Sequence, residues 1–300
     1  MTAAAQVRLG SAGWSYADWE GIVYPARKPA GFHPLRHLAR WISVAEVNAS
    51  FYRIPAPEHA RAWTAATADL PRLRFTAKLY RGLSHDAIGG DPDPAQLRAM
   101  HAFLDALAES GRFDGLLLQF PFRLHATGAH WAHVARLLDE FAAHPRIVEF
   151  RHAGWWQPRV FEELERRGAT LASIDQPALP HNIPPELVAT GPVAYIRFHG
   201  RNAANWWRDG AGDARYDYLY TPAEIHDWAE RIKALLPRGK LIQAIFNNHV
   251  RGQGLANALA LARALGMDAP PPPDALAQRY PALFPDHRGA AEHQGELFGA

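Results

Sequence analysis

The chain has 300 residues, 48% of them hydrophobic, and a formal net charge of +2; that length can bury a large core, as one barrel-sized domain or as two smaller ones. The near-neutral balance offers no global basic field for nucleic acid, so any partner has to be recognised at a local site. Cysteine is absent, which removes disulfides, thiolate nucleophiles, iron–sulfur clusters and cysteine-bound zinc and leaves His, Asp and Glu as the available metal ligands.

The opening stretch MTAAAQVRLG has no basic-then-apolar signal pattern. Arg, Asn or Asp interrupts every apolar stretch well short of the roughly 18 residues of a membrane span, so a cytoplasmic protein with no membrane partner is expected. Short segments rich in β-branched residues then alternate with segments of helical period. Strands are predicted at VRLG (7–10), VAEVN (44–48), RFTAKL (74–79), LLLQF (116–120), IVEFR (147–151), TLASID (170–175), VAYIRFH (193–199) and LIQAIFN (241–247). Helices are predicted between them over 32–42, 58–68, 94–109, 130–143, 158–167, 222–235 and 252–265. Thr221-Pro222-Ala223-Glu224 reads as an N-cap, a first-turn proline and a capping-box glutamate, and Gly168 and Gly266 sit where C-caps belong. Only PALPHNIPPELVATG, after the sixth strand, is too broken by proline for a long helix. The pattern predicts an α/β fold, a single TIM-like (β/α)8 barrel over residues 1–268 that is irregular after strand six, with a doubly wound open sheet as the rival. Residues 269–300 read as a proline-rich linker and flexible tail.

Side chains alternate along a strand, so Ile147, Glu149 and Arg151 share one face while Val148 and Phe150 take the other. The apolar pair suits the helix layer, which turns Glu149 and Arg151 inward at the C-terminal mouth, where barrel enzymes build their sites. The same count sends Glu46 and Asn48, Lys78, Gln119, Asp175, Arg197 with His199, and Asn247 to that mouth, with Trp14, Tyr52, Arg53, His85, His152 and Asn248 in the adjoining loops. A barrel interior is ordinarily filled by branched aliphatics, so this concentration of charge points to a site. Glu46 with Lys78, and Glu149 with Arg151 or Arg197, would also serve as ion pairs closing the barrel top.

Seven blocks in order, GSAGWSYADWEGIVYP (10–25), AEVNASFYRIP (45–55), FTAKLYRGLSH (75–85), LLLQFPFRL (116–124), VEFRHAGWW (148–156), YIRFHG (195–200) and IFNNHVRGQGLANA (245–258), resemble the successive signatures of the YecE-like family, domain of unknown function 72. The resemblance runs from about residue 8 to 265 and implies a TIM-like barrel; it implies no established reaction, since fold does not stand in for function.

Three cations (Lys78, Arg151, Arg197) beside three carboxylates (Glu46, Glu149, Asp175) suggest an enzyme, a hydrolase, lyase or isomerase, acting on a small carboxylate- or phosphate-bearing substrate. In that reading Glu46, Lys78, Glu149, Asp175 and His199 are catalytic, with a glutamate as general base and His199 as acid or proton shuttle. Trp14, Asn48, Tyr52, Arg53, Gln119, Arg151, Arg197, Asn247 and Asn248 bind substrate. No cofactor is expected. The competing chemistry is a divalent metal on Glu46, Glu149, Asp175 and His199 hydrolysing a phosphodiester, against which the interleaved cations argue. A Schiff-base role for Lys78 would require desolvation that the sequence does not show. No GxGxxG or P-loop follows any strand, which disfavours dinucleotides and nucleoside triphosphates. Loop 200–220, rich in Trp and Tyr, reads either as a lid or as rim packing. The closing QGELF, with Gln294, Leu297 and Phe298, looks like a sliding-clamp-binding motif, which gives the alternative of a DNA-repair protein recruited to the clamp and DNA through its tail.

Overall fold

Eight parallel strands hydrogen-bond in sequence order into a closed barrel, β1 meeting β8 to complete the ring. In this computed structural model, which describes residues 6–208 and 210–287, the strands are β1 (Val7–Ala12), β2 (Val44–Val47), β3 (Arg74–Lys78), β4 (Phe113–Gln119), β5 (Arg146–Glu149), β6 (Thr170–Asp175), β7 (Val193–Phe198) and β8 (Leu241–Phe246). The fold is a TIM-like (β/α)8 barrel. The open-sheet alternative is excluded because closure leaves no edge strand.

The outer layer holds α1 (Pro34–Leu38), α2 (Pro57–Ala66), α3 (Pro94–Ala108), α4 (Gly128–Glu140), α5 (Pro158–Arg166), α7 (Pro222–Leu235) and α8 (Gln253–Ala264). Their ends follow local chemistry. Asp93 and Thr127 accept from the first free N–H groups of α3 and α4, and Thr221 and Glu224 close the capping box of α7. On α3, Met100, Phe103, Leu104 and Leu107 form one stripe, buried against the barrel.

Between β6 and β7 no helix forms, as the prolines predict. Residues 177–192 cover the outer face of β6 instead, with Thr190 accepting from Leu171 N at 2.8 Å and Ser173 Oγ accepting from Val188 N at 2.9 Å. The connection after β7 carries a short helix, α6 (Ala203–Trp206), and a 3-10 turn at Gly212–Tyr216.

Ordered, buried structure continues past residue 268, the end of the barrel expected from the sequence. Residues past the prolines form α9 (Asp274–Arg279) and a 3-10 turn (Pro281–Leu283), with Leu276, Leu283 and Phe284 buried. The proline run is itself held, since Trp41 Nε1 donates to Pro271 O at 2.8 Å, and Tyr280 donates to Arg251 O at 2.8 Å. These apolar side chains give residues 274–284 a reason to lie on the barrel rather than to trail from it. Gln294, Leu297 and Phe298 lie outside the described residues.

Candidate functional site

Register decides which side chains meet at the mouth. Across β6, β7 and β8, Ile174 is level with Arg197 and Arg197 with Ile245, while Asp175 is level with Phe198 and Phe246. Since Arg197 points inward, Ile174 and Ile245 do too, and Asp175 shares the outer face with Phe198. The expected place of Asp175 at the mouth is therefore corrected. Its carboxylate accepts from Arg201 Nε and Nη2 (2.8 and 2.6 Å), Tyr220 Oη (2.8 Å) and Trp228 Nε1 (2.7 Å), fastening α7 and the loop after β7 to the barrel wall. Asp175→Asn replaces an acceptor in four such bonds by an amide that clashes with at least one donor. It is expected to cost about 2–3 kcal/mol in denaturant unfolding while leaving ligand binding at the mouth unchanged. A change in ligand affinity without a loss of stability would show that Asp175 belongs to the site after all.

Inside the wall, Arg197, Glu46, Glu149, Tyr195, Arg151 and His199 form one network. Arg197 donates from Nε and Nη2 to the two oxygens of Glu46 (3.1 and 2.6 Å) and from Nη1 to Glu149 Oε2 (2.7 Å). Tyr195, one layer deeper on the same face of β7, donates to Glu46 Oε2 at 2.8 Å and meets Thr76 Oγ1 at 3.1 Å. Arg151 brings Nε to 2.6 Å from Glu149 Oε1, and His199 Nε2 lies 3.3 Å from that same oxygen. Neither contact has good hydrogen-bond angles, so opposite charge rather than directed bonding holds the Arg151–Glu149 pair, while the His199 ring packs against the carboxylate. Burial by itself would raise the Glu149 carboxyl, yet Arg151 and Arg197 outweigh it and hold the group well below the usual carboxylate range. Burial also opposes the charge of Arg197, but Glu149 and Glu46 more than restore it. His199 is fully enclosed, and burial together with Arg151 lowers it to about 3, so the imidazole is neutral at pH 7; its Nδ1 faces Asn247 Nδ2 at 3.1 Å.

The network leaves one cation out. Lys78 is 9% exposed and, among the described residues, no carboxylate lies within 4.0 Å of its Nζ and no acceptor bonds to it. The ammonium sits 3.7 Å from the centre of the Phe51 ring, a cation–π contact. Burial and the neighbouring Arg197 lower it from the ordinary 10.5 to about 7. The expected pairing of Glu46 with Lys78 is thus corrected, because Arg197 reaches Glu46 with two parallel N–H groups that a lysine cannot supply.

Two adjoining lobes of about 410 and 200 Å³ open above these groups, and both are lined by Tyr52, Lys78, Arg151, Asp213 and Tyr216. The larger adds Phe51, His85, Gln119 and Trp206, and the deeper one adds Tyr16, Asn48, Arg197, Asn247 and His249. Glu46, Glu149 and His199 stand behind this surface, all with no exposure. Loop 200–220 supplies Trp206, Asp213 and Tyr216 and so roofs the mouth, with Trp206 buried and Trp207 half exposed. A more apolar groove of about 360 Å³ between α4 and α5, lined by Trp131, Trp155 and Val160, lies away from the strand ends.

Three expected binding residues are not brought to the cavity. Trp14 packs edge-on against Trp63 at 5.3 Å, because Gly13, in the left-handed region at φ +90°, turns the chain so that Tyr16 takes the inward place. Arg53 is exposed on a separate shallow groove beside Tyr80 and Gln96. Asn248 donates to Tyr218 O and to Asn257 Oδ1, both at 2.9 Å, and holds β8 to its neighbours. Tyr195 was open to detection, being in phase with Arg197 two residues on. Tyr16, Phe51 and His249 come from turns, whose side-chain directions no strand count provides.

A metal on Glu46, Glu149, Asp175 and His199 does not fit these residues. Asp175 is on the far side of the wall and the glutamates are taken up by guanidinium groups; among the described residues no cluster of His, Asp and Glu is arranged to hold an ion.

The family model described as "Protein of unknown function DUF72" matches residues 8–279. The chain belongs to the DUF72 family, the YecE-like family of its sequence motifs. It is similar to the UPF0759 protein YunF of Bacillus subtilis, 25% identical over 275 residues that cover 87% of this chain and 95% of YunF. Among solved structures, a DUF72 protein of Thermotoga maritima is 29% identical with a TM-score of 0.75, over 87% of this chain and 99% of that one. A DUF72 protein of Enterococcus faecalis, 24% identical with a TM-score of 0.76, covers 88% of this chain and 97% of its own, a likeness of fold. As a DUF72 member the protein has the TIM-like barrel of its relatives, and no helix among its described residues is long and apolar enough to cross a membrane.

Proposed function

We propose that this DUF72 protein is an enzyme acting on a small anionic molecule, bearing a carboxylate or phosphate, bound at the mouth of the barrel. One observation carries the reading: Lys78, Arg151 and Arg197 all line the same cavity, whereas the carboxylates that balance the two guanidiniums are turned behind it. A ligand entering from above meets these three cations ahead of the carboxylates that balance the guanidiniums, with Asp213 of loop 200–220 on the lining beside them; bonds between such cations and an anion are charge-assisted. Asn48, Gln119 and Asn247 add polar groups that can fix its orientation.

Acid–base work then falls to different groups from those the sequence suggests. Glu149 is a weak base because its charge is so well stabilised, and neutral His199 is enclosed behind it. The pair is better suited to positioning Arg151 and Arg197. Lys78, which titrates near neutrality and faces the cavity, is the group able to exchange a proton at working pH.

Calorimetric titration with inorganic phosphate, against chloride at equal ionic strength, tests the reading. Phosphate is expected to bind, and Arg151→Gln to weaken it by roughly tenfold or more, since one charge-assisted contact is worth about 1.5–3 kcal/mol. Arg151 is chosen because Arg197 also holds the barrel together. Phosphate binding no tighter than chloride, or affinity indifferent to Arg151→Gln, would refute the proposal.

A further inference from the structure

We propose that Lys78 is a covalent nucleophile whose amine adds to the carbonyl carbon of an aldehyde- or ketone-bearing anionic substrate and forms an imine at the mouth of the barrel. This rests on the anionic-substrate reading and names the substrate class more narrowly, as a compound with a carbonyl close to its carboxylate or phosphate.

The geometry supports it in three ways. Lys78 is 9% exposed and lines both lobes, so a carbonyl compound entering the cavity meets this side chain. Every other cation of the network has a carboxylate of its own, whereas the partner of Lys78 is the face of the Phe51 ring, which holds the stem in place without locking the nitrogen in an ion pair. Arg151 and Arg197 flank it, so an anionic group on the ligand would be gripped beside the amine, and the same positive charge keeps a fraction of that amine unprotonated. An amine is nucleophilic only when unprotonated, and burial among cations is the usual way a lysine reaches that state at neutral pH.

In the addition step the lone pair of Nζ forms a C–N bond while the π electrons of C=O move to oxygen, which collects the proton that nitrogen gives up. Protonation of the resulting hydroxyl releases water and leaves a protonated imine. His85 lines the same lobe, its Nδ1 paired with Ser84 Oγ at 2.9 Å, and these protons exchange with solvent in the lobe. Burial and then the charge of Lys78 lower His85 to about 3, so its ring stays uncharged beside the amine at pH 7.

The chain has only four lysines, Lys28, Lys78, Lys233 and Lys240, which makes the test specific. The full-length protein is treated with pyridoxal 5′-phosphate, an anionic aldehyde, or with uncharged pyridoxal. Sodium cyanoborohydride then delivers hydride to the imine carbon, and peptides are mapped by mass. Lys78 is expected to carry the phosphate-bearing adduct on the order of tenfold or more over the other lysines, and about severalfold over the N-terminal amine, at pH 7, since the free-amine fraction falls steeply with each unit of pKa. The labelling rate should rise with a midpoint near 7. Lys78→Met and Lys78→Arg, each checked for folding by circular dichroism, should lose the adduct. Labelling spread over all four lysines, or a Lys78 midpoint in the ordinary lysine range, overturns the inference. Phosphate binding with no adduct at Lys78 also overturns it while leaving the anion site intact; equal labelling of Lys78 by both aldehydes upholds the nucleophile and refutes the anion site.

Discussion

Lys78→Met is expected to make the protein more stable, by about 2–4 kcal/mol at pH 7, with the gain disappearing toward pH 10.5. Methionine keeps the apolar stem of the lysine and about its volume while removing a buried cation that has no carboxylate partner among the described residues. The lost contact with Phe51 offsets part of the gain, by about 1–2 kcal/mol. The pH dependence has a definite sign. Unfolded, the lysine titrates near 10.5, and folded it titrates near 7. Between those values the unfolded chain holds a proton that the folded one lacks, so the stability of the parent rises with pH across that window. Below about 7 both states are protonated and the cost is constant. The variant has no such slope, so the difference between the two proteins should be full at and below neutrality and shrink as the pH is raised. Denaturant midpoints across pH 6–10 measure it. Parallel curves would show that Lys78 is not desolvated in the folded protein, and the case for its reactivity would fall with them. A residue that costs stability in this way is the kind of feature functional sites retain.

Arg197→Met should act in the opposite direction and cost about 3–5 kcal/mol, because it strips the counter-charge from two fully buried carboxylates. Glu46 loses both of its guanidinium bonds and keeps only the hydroxyl of Tyr195; Glu149 keeps Arg151. The pH sign follows from Glu149. In the parent its carboxyl is depressed, so its contribution to stability is present above the unfolded value of 4.5 and is lost as the pH falls toward the folded one. Without Arg197 that depression weakens, and the deficit of the variant should narrow in acid. Adding Glu46→Gln to Arg197→Met should recover part of the loss, since the second change removes a charge that the first has orphaned. Additive losses in the double variant would mean that the two residues do not form the unit drawn here. Arg197→Met therefore tests the scaffold of the site and is uninformative about ligand binding, for which Arg151 is the better position.

Much of this arrangement was legible in the chain. Alternation in IVEFR and YIRFH was enough to turn Glu149, Arg197 and His199 inward, and the same count placed Lys78, Glu46 and Asn247 correctly. Failure came where alternation had no anchor. TLASID holds a single charge at its end, and nothing within the hexapeptide says whether Ile174 or Asp175 is inside; the answer comes from Arg197 across the β6–β7 ladder. Trp14 and Arg53 lie in turns, where a glycine with positive φ or a short 3-10 segment redirects the side chain and periodicity has no meaning. Composition reads residues 269–300 as linker and tail because it cannot reveal that Leu276 and Phe284 are buried in the folded chain.

The amino-acid sequence by itself determined the eight-strand barrel, the missing helix after the sixth strand and the set of charged side chains sent to one end, because backbone period and turn chemistry are local properties. Only the tertiary structure decided which charges are paired. Pairing depends on register across strands far apart in the chain, and on the two parallel N–H groups with which Arg197 captures Glu46 from Lys78. The resulting burial of Lys78 without a carboxylate partner among the described residues is a property of the closed barrel, since desolvation requires every neighbouring strand to be in place.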